Sequence, residues 1–403
     1  MATSDIRSNS TFMRYLFSSA VADAILPIFY IFIPVFAVKL GANALEIGLV
    51  GGAAYATYSF MPFIMGHFSD RRGSRKFFIL SSFVILALVS LSYSLVQDPV
   101  SLIIMRVFEG VGWAMLWPAI EAAVTETSVR DSKRSLTIFN YTWSLGAALG
   151  PGIGTLLVTL YSYRFAFFTS GVLFLILIAL NGVALFRERA PFVVNEKTSR
   201  TSLHSSMRSM LLSEDKERNF RVWTSLAATA LSAVTSGVFF TFFGPYATSI
   251  GVSVLLVGLI TTTYGFVRFF TYVALARESF FSQIFDSSRR NRTVIMFASL
   301  ASFSGVLILL KDPTSLVYFI SFTLFAIGYS IVYSISQTTL IAETKPELKG
   351  AGAGLFESSI GLGAALGPII AGAISSSSLL FAFIVPLGGL VFVLVLLSLL
   401  RVK

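Results

Sequence analysis

Six ionisable residues lie inside long apolar stretches of the sequence. They are Asp23, Arg106, Glu109, Glu121, Arg268 and Glu357. A charged side chain at the centre of a bilayer costs about 2.5 to 3.5 kcal/mol on insertion scales, so such residues need partners or water. A carboxyl group in this setting binds or releases a proton as its access to water changes. We therefore expect these residues to take part in proton coupling, with Asp23 as the principal carboxyl group and a purely structural role as the alternative.

Sequence spacing favours particular partners among these residues. Arg106 and Glu109 share one helix face. They form either a self-neutralising pair or a site at which Arg106 tunes the proton affinity of a nearby carboxylate, which we take to be Asp23. Arg268 is expected to pair with Glu357, and a structural ion pair is as good an explanation there as a functional one.

The composition indicates an integral membrane protein. Of 403 residues, 55% are hydrophobic and 12% are charged, and the mean hydropathy is +0.80, which leaves too little polar surface to cover a soluble fold. The net charge of +10 comes from short basic runs between apolar stretches, so it indicates membrane topology rather than nucleic-acid binding. The chain has no cysteine, and its two histidines, His67 and His204, are far apart. We therefore expect neither a metal site nor a cofactor.

Twelve apolar stretches are long enough to cross a bilayer, which needs about 20 residues per helix. They run over 14–38, 45–67, 77–97, 100–125, 136–160, 165–186, 222–249, 254–276, 293–310, 314–342, 350–374 and 379–400. Outside these spans nearly all Lys and Arg residues share a side with the N-terminus, and only Lys39, Arg164 and Lys311 face the other side. This distribution predicts that both termini are cytoplasmic and that the chain is a multi-pass protein of the cell membrane.

One six-residue phrase, GAALGP, occurs at 146–151 and again at 363–368. Small residues recur every three or four positions around it, which lets a neighbouring helix approach closely. The residues expected to serve this packing are Gly146, Gly150, Pro151, Gly154, Gly363, Gly367 and Pro368. The repeat predicts two homologous six-helix halves, residues 1–187 and 221–403. The polar stretch 188–220 is predicted to be a cytoplasmic linker with a short amphipathic helix around 202–212.

Between the second and third stretches stands GHFSDRRGSRKFF, with Gly66, Asp70, Arg71, Gly73, Arg75 and Lys76 at fixed spacing. It resembles the loop motif of the major facilitator superfamily, in which a glycine is followed by Asp-Arg and then by a glycine and two bases. A degenerate second copy, without the glycines, falls at 286–292. The resemblance implies an all-α membrane fold of twelve helices in two pseudo-symmetric six-helix bundles.

This loop is expected to act as a conformational latch between the halves. The backbone donors that begin with Gly350 could receive the Asp70 carboxylate, an interaction of about 0.3 to 2 kcal/mol. Glu126 is placed to pair with Arg71 or Arg75. A looser mirror version is expected at Glu343 and Lys349, with solvated loop charges as the alternative.

Two further motifs resemble those of the superfamily. Arg106, Glu109 and Gly110 match its fourth-span motif, with glutamate where glutamine is commoner. The glycines from Gly146 to Gly154 resemble the fifth-span motif of its drug and solute:proton antiporters, although Ile153 interrupts the terminal glycine pair. The resemblance places spans 1, 4, 7 and 10 around a central cavity. The expected cavity residues are Tyr30, Tyr55, Tyr58, Asn140, Trp143, Phe240, Tyr246, Tyr264, Tyr333 and Gln337.

The leading hypothesis is a proton-coupled exporter of small amphipathic or organic compounds that works by alternating access as a monomer. A proton-coupled importer of sugars or organic acids is the nearest alternative. A lipid transporter or a membrane protein without transport activity is a more distant one. The sequence has no GxxxxGK[ST] loop and no nucleophile constellation, so we expect no enzymatic activity.

Overall fold

The structure is a computed structural model that describes residues 2–72, 74–127, 132–186, 202–276, 288–311, 314–389 and 391. The described residues are almost entirely helical. The helices are α1 (Ala2–Lys39), α2 (Ala44–Tyr58), α3 (Met61–Arg72), α4 (Arg75–Tyr93), α5 (Pro99–Thr127), α6 (Ser132–Leu160), α7 (Tyr163–Phe186), α8 (Leu203–Leu211), α9 (Lys216–Ser249), α10 (Val254–Leu275), α11 (Ser288–Lys311), α12 (Ser315–Ala342) and α13 (Lys349–Ile374). Short 3₁₀ helices, Pro346–Leu348 and Leu379–Phe383, stand before and after α13.

The described part of the chain contains 11 helical spans long and apolar enough to cross a membrane. One of them, Ala44–Arg72, consists of α2 and α3, which are separated by a two-residue break at Ser59 and Phe60. The sequence had predicted a single unbroken span there. The predicted twelfth span, 379–400, begins with the short apolar helix Leu379–Gly389, and the remainder, apart from residue 391, lies outside the described residues.

The first spans of the two halves end in equivalent turns. Gly41 follows α1 with φ of 87°, and Gly251 follows α9 with φ of 88°. Only glycine adopts this left-handed conformation without strain. The helix that follows each turn is N-capped, by Asn43 in one half and by Ser253 in the other. The two halves therefore repeat one local design.

The first GAALGP phrase packs α6 against α1. A Cβ on Gly150 would lie 2.6 Å from the carbonyl oxygen of Ala24, and a Cβ on Gly146 or Gly154 would also collide with α1. Pro151 lies inside α6 in the same segment. The absence of side chains on this face is what allows the two backbones to approach.

The second phrase packs α13 against α9 in the same manner. A Cβ on Gly367 would lie 2.6 Å from the carbonyl oxygen of Val234, and Gly363 also faces the backbone of α9. Pro368 lies inside α13. The two copies of the phrase thus join corresponding helices, which is the relation expected of a duplicated architecture.

The helices form two bundles that meet along α2 and α3 with α13, and along α6 with α10. The first bundle contains α1 to α7 and the second begins with α9. α9 starts at Lys216, earlier than the predicted boundary at 221, and α8 falls within the predicted linker 188–220. Residues 187–201 lie outside the described residues, so the boundaries 1–187, 188–220 and 221–403 stay a prediction.

Candidate functional site

A cavity of about 120 Å³ lies between the two bundles. We call it the central cavity. Its walls come from both halves, with α1, α2, α5 and α6 on one side and α9, α10, α12 and α13 on the other. The lining residues are Asp23, Leu26, Tyr30, Tyr55, Tyr58, Trp113, Trp117, Trp143, Ser236, Phe240, Arg268, Tyr329, Tyr333, Glu357 and Ile360.

Most of the residues expected in the cavity are there, and a few are not. Tyr30, Tyr55, Tyr58, Trp143, Phe240 and Tyr333 line it. Tyr264 instead lines a much smaller adjoining cavity of about 10 Å³, which it shares with Tyr30, Phe240 and Arg268.

Three of the residues expected in the central cavity lie elsewhere. Asn140 and Gln337 are fully buried behind the cavity wall, where they bond to other side chains. Tyr246 lies near the far end of α9 and packs against Phe383, with ring centroids 5.9 Å apart. The type of side chain could not distinguish the wall from the layer behind it, because both contain polar and aromatic groups.

Several lining residues were missed by the sequence analysis. They are Leu26, Trp113, Trp117, Ser236, Tyr329 and Ile360. Residues four positions apart share a helix face. Trp113, Trp117 and Glu121 have this spacing on α5, and Tyr329 and Tyr333 have it on α12. That spacing is the signal that could have identified them.

Asp23 and Arg268 both line the central cavity but do not form an ion pair. Asp23 is 7% exposed and Arg268 is 8% exposed. Neither has an oppositely charged atom within 4.0 Å among the described residues. Arg268 is the basic group that acts electrostatically on Asp23. Arg106, which the sequence analysis assigned that role, does not act on it and lies elsewhere.

The Arg268 guanidinium sits among aromatic rings. It donates through Nη2 to the Tyr272 hydroxyl at 3.0 Å, and its central carbon lies 4.8 Å from the ring centre of Trp143 and 5.3 Å from that of Tyr329. Its Nε has no hydrogen-bond partner. The expected pairing of Arg268 with Glu357 is absent, because Glu357 is engaged with other groups. Arg268 therefore keeps donor capacity that no protein carboxylate uses.

Glu357 meets Glu121 across the boundary between the halves. The two side chains are close enough to act on each other, and both residues are buried, at 4% and 0% exposure. Glu121 Oε2 has no hydrogen-bond partner among the described residues. Two negative charges side by side in a buried site repel each other, and a proton held between the two carboxyl groups would relieve that repulsion.

Neutral donors surround this acid pair. Tyr58 donates to Glu357 Oε2 at 2.7 Å, and Tyr333 donates to Glu357 Oε1 at 3.3 Å. Gln337 Nε2 donates to Glu121 Oε1 at 2.7 Å. Every member of this set is contributed by a membrane-spanning helix, and the bonds from Tyr58 and Gln337 each cross between the halves.

The chain of hydrogen bonds continues from Gln337 into the first half. Asn140 Nδ2 donates to Gln337 Oε1 at 2.8 Å, and Trp143 Nε1 donates to Asn140 Oδ1 at 3.1 Å. Trp143 is itself a wall of the central cavity. A continuous polar connection therefore links the cavity wall to the acid pair.

Arg106 and Glu109 neutralise each other away from the cavity. Arg106 Nη1 lies 2.7 Å from Glu109 Oε2, and Arg106 Nε donates to the carbonyl of Val50 at 3.0 Å. The Tyr93 hydroxyl donates to the same oxygen of Glu109. Neither residue lines the central cavity. This arrangement is the self-neutralising pair that the sequence left as one of two possibilities.

At one end of the molecule Asp70 joins the halves. The backbone N–H groups of Gly350 and Ala351 donate to its two carboxylate oxygens at 2.9 and 2.8 Å. These donors begin α13, where the helix dipole favours an anion. This is the contact expected from the loop motif, and we call this end of the molecule the latch end.

Arg75 completes the contact. Its Nη2 lies 2.6 Å from both Asp70 Oδ1 and Glu126 Oε1, so Arg75 pairs with Glu126, where the sequence had left Arg71 or Arg75 open. Arg71 is exposed. Gly66 packs on the backbone of Gly350 with no room for a side chain. Gly73, another predicted latch residue, lies outside the described residues.

The corresponding acid of the second half has different partners. Glu343 pairs with Arg221 at 2.8 Å and with Arg218 at 3.7 Å, and both arginines lie in the first turns of α9. These pairs stay within one half, so they do not reproduce the latch. The degenerate motif at 286–292 falls on residues whose side chains are not described.

A second cavity of about 750 Å³ lies at the opposite end from the latch. Lys39 and Ile47 are among its lining residues. Along α2, Gly51 and Gly52 fall between Ile47 and the central-cavity residue Tyr55, and they pack closely on α9 and α13. The halves are therefore in close contact on this side of the central cavity as well as at the latch.

Among the described residues no group of three or more His, Asp or Glu side chains could hold a metal ion. The arrangement instead offers two adjoining buried carboxyl groups, an acid and a base that line a cavity, and contacts between the halves on either side of that cavity.

Comparison with known proteins identifies the family. The Major Facilitator Superfamily model matches residues 11–277 and 225–403. An uncharacterised MFS-type transporter of Methanocaldococcus jannaschii is 25% identical over 339 residues, which is 83% of each chain. The multidrug resistance protein MdtG of Proteus mirabilis is 33% identical over 151 residues, 36% of this chain and 37% of that protein.

Solved structures share the fold. A point mutant of the nucleoside transporter NupG superposes with a TM-score of 0.75 at 14% identity, covering 96% of this chain and 99% of that chain. The inward-facing bacterial homologue of the human lysosomal transporter Spinster gives a TM-score of 0.69 at 15% identity, covering 97% and 95%. Two-bundle architecture, apolar spans and family match agree, and the chain belongs to the Major Facilitator Superfamily of multi-pass membrane transporters.

Proposed function

We propose that the protein is a proton-coupled exporter, an antiporter that moves small amphipathic or organic compounds by alternating access. The observation that carries this proposal is the buried Glu121–Glu357 pair, with one carboxyl group from each half, and we propose that the two groups share a proton. Movement of the halves separates or rejoins these carboxyl groups and so changes how many protons they hold. Proton occupancy and conformation are thereby linked.

Asp23 supplies the link to substrate. It faces the central cavity, and the charged groups that act on it are Arg268 from α10 and Glu357 from α13. Tyr30 and Tyr272 are the hydroxyl groups that interact with it electrostatically. A cationic group of a substrate and a proton compete for Asp23, which makes the inward movement of protons drive the outward movement of substrate.

The export direction rests on two similarities. The glycine pattern from Gly146 to Gly154 resembles the fifth-span motif of proton antiporters, and it packs α6 on α1, the helix of Asp23. A partial relative is named as a multidrug resistance protein. We further propose that the protein works as a monomer in the plasma membrane, with both termini and the linker in the cytoplasm.

One observation favours a second candidate function, a proton-coupled importer of organic acids or sugars. Arg268 faces the cavity with an Nε that has no partner. A carboxylate bound there alone would favour protonation of Asp23, so substrate and proton would move together. The two candidates predict opposite responses to a pH gradient.

Transport in proteoliposomes tests the proposal. The purified chain is reconstituted with a trapped pH indicator, and ethidium, benzoate and glucose are offered under an imposed pH gradient. An antiporter accumulates substrate on the acidic side, and Asp23→Asn is expected to abolish this accumulation. If substrate flux is independent of the pH gradient in both the wild type and Asp23→Asn, the proposed proton coupling is wrong. Accumulation on the alkaline side supports the importer.

Infrared spectroscopy tests the acid pair without a substrate. A protonated carboxyl band is expected near neutral pH in the wild type and is expected to be lost in Glu121→Gln and in Glu357→Gln. In each variant the new amide still donates to the remaining carboxylate, so folding is maintained. Glu347→Gln is the matched control, because Glu347 is exposed on the short 3₁₀ helix before α13. A band that survives both substitutions would contradict a shared proton.

A further inference from the structure

The size of the central cavity restricts its ligand. Its volume is about 120 Å³, whereas pockets for drug-sized ligands usually range over about 300–1,000 Å³. An apolar cavity of about 150 Å³ holds a benzene molecule. The cavity therefore suits a compound built around a single ring.

The walls suit such a ring. Trp113, Trp117 and Trp143 line the cavity, together with five tyrosines and Phe240. Trp143 packs at an angle to Tyr333, with ring centroids 5.7 Å apart. Aromatic walls of this kind favour offset or edge-on packing of another ring, and their faces attract cationic groups.

The charged groups that line the cavity differ in whether protein groups already bond to them. Glu357 accepts a hydrogen bond at each of its oxygens, from Tyr58 at one and from Tyr333 at the other. Asp23 accepts no hydrogen bond from the described residues, and Arg268 has the partnerless Nε. One acid and one base thus remain available to a ligand, and they act on each other without touching.

A ligand with a single charge satisfies only one of these two groups. A cation at Asp23 leaves Arg268 nearby without a counter-ion, and an anion at Arg268 lies close to Asp23. An uncompensated charge in a buried site is costly, and removing one partner of a buried pair costs several kcal/mol. A ligand that carries both charges compensates both groups at once.

We propose that the substrate of the central cavity is a single-ring zwitterion, with its cationic group bound at Asp23 and its anionic group bound at Arg268. The proposal rests on the proposed antiport function and adds the substrate class. A zwitterion also retains the competition with protons, because Asp23 must be ionised to hold the cationic group.

Direct binding tests the charge requirement without transport. The chain has 4 tryptophans. Three of them line the cavity, while Trp223 is 50% exposed on α9. In a Trp223→Phe background, tryptophan fluorescence reports occupancy of the cavity. Each probe carries one phenyl ring on a chain of two or three carbons: L-phenylalanine as zwitterion, phenethylamine as cation, phenylpropanoate as anion and phenylpropanol as neutral compound.

Phenylalanine is expected to bind at least about tenfold more tightly than either singly charged probe, a difference of about 1.4 kcal/mol. In Asp23→Asn, phenylalanine and phenylpropanoate should bind equally. In Arg268→Gln, phenylalanine and phenethylamine should bind equally. Arg268→Lys keeps the positive charge, so it should regain part of the preference for phenylalanine over phenethylamine, and it replaces the glutamine variant if that variant does not fold. Tyr246→Phe is the control, because Tyr246 lies outside the cavity lining.

Two outcomes overturn the zwitterion: a singly charged probe that binds as tightly as phenylalanine, or no fluorescence response to any of the four probes. The transport proposal fails separately. If phenylalanine shows the charge preference but neither its binding nor its flux depends on pH, the substrate class stands and the proton coupling falls. If flux is coupled to protons without a zwitterion preference, the reverse holds.

Discussion

Arg106 and Glu109 differ from the other intramembrane charged residues because they form an ion pair with each other. Arg106 is 2% exposed and Glu109 is 0% exposed, and their nearest charged atoms are 2.7 Å apart. The indole of Trp113 lies 5.3 Å from the guanidinium carbon of Arg106. Trp113 also lines the central cavity, so its side chain lies between the pair and the cavity. We therefore expect the pair to stabilise α5 rather than to bind protons or substrate.

Removing one member of this pair should destabilise the protein strongly. Arg106→Leu leaves Glu109 buried without its counter-ion, which costs about 3 to 5 kcal/mol. Replacing both residues with leucine should recover much of that loss, since two apolar groups need no partner. Thermal unfolding in detergent measures both effects. A double variant that is less stable than Arg106→Leu, or one that folds well but has lost its response to a pH gradient, would contradict the structural role.

For individual residues, the sequence identified the intramembrane charged residues more successfully than it identified the contacts between them. Asp23, Arg268 and Glu357 were identified as intramembrane charges and all three line the cavity. Their partners were not predictable, because a contact such as Gln337 with Glu121 joins residues 216 positions apart. Hydropathy determines that a helix spans the membrane, whereas its rotation about its own axis depends on packing against all its neighbours.

Helices in this protein approach closely through surfaces that lack side chains. α13 shows this along much of its length: Gly350 and Gly354 face α3, Gly361 faces the end of α2, and Gly367 faces α9. Glycine is unfavourable inside an isolated helix by about 1 kcal/mol relative to alanine. Close packing between spans offsets that cost, which makes these positions sensitive to any added atom.

Gly367→Ala should therefore destabilise the protein although alanine favours helices. The new Cβ would lie 2.6 Å from the Val234 carbonyl oxygen, so α13 and α9 must move apart, at a cost of about 1 to 3 kcal/mol. Gly182→Ala is the matched control, because nothing lies within 4 Å of its added Cβ, and it should be neutral or stabilising. Unfolding midpoints in detergent compare the two, and equal midpoints would contradict this packing argument.

The repeated GAALGP phrase allowed this packing to be predicted, and the length of each apolar stretch allowed most spans to be located. The break between α2 and α3 was not predicted. Pro62 offers the physical reason, since proline has no backbone N–H to continue the helix and restricts the residue before it. In the sequence this proline stands among apolar residues, so hydropathy alone predicts one continuous span and does not reveal the break.

In the whole molecule the latch holds the halves together at one end. Asp70 accepts two hydrogen bonds across the boundary from the first backbone N–H groups of α13, and Arg75 pairs with Asp70 within the first half. Hydrogen bonds that involve an ionised group contribute about 1.5 to 3 kcal/mol each. The loop motif made this contact predictable, because it specifies an acid, its supporting bases and the small residues between them. Its role in alternating access stays a prediction.

Weakening the latch should open the central cavity toward the latch end. Asp70→Asn loses charge from these bonds, and a loss of about 1 to 2 kcal/mol shifts a conformational equilibrium about 5- to 30-fold. The chain has no cysteine, so Ser236→Cys in the cavity wall is a single reporter for a thiol reagent. Labelling of this reporter should be faster in Asp70→Asn and unchanged in Glu347→Gln. Equal rates in all three proteins would show that Asp70 does not restrain the halves.

The hydrogen bond from Tyr58 to Glu357 has a mechanical consequence. Tyr58 is the last residue of α2, and the two-residue break follows it directly before α3 carries the chain on to Asp70. If Glu357 takes up and releases protons as proposed, the resulting change in this hydrogen bond acts at the break between α2 and α3 rather than in the middle of a continuous helix. Because α3 carries Asp70 of the latch, we expect the change to reach the latch through bending at Ser59 and Phe60.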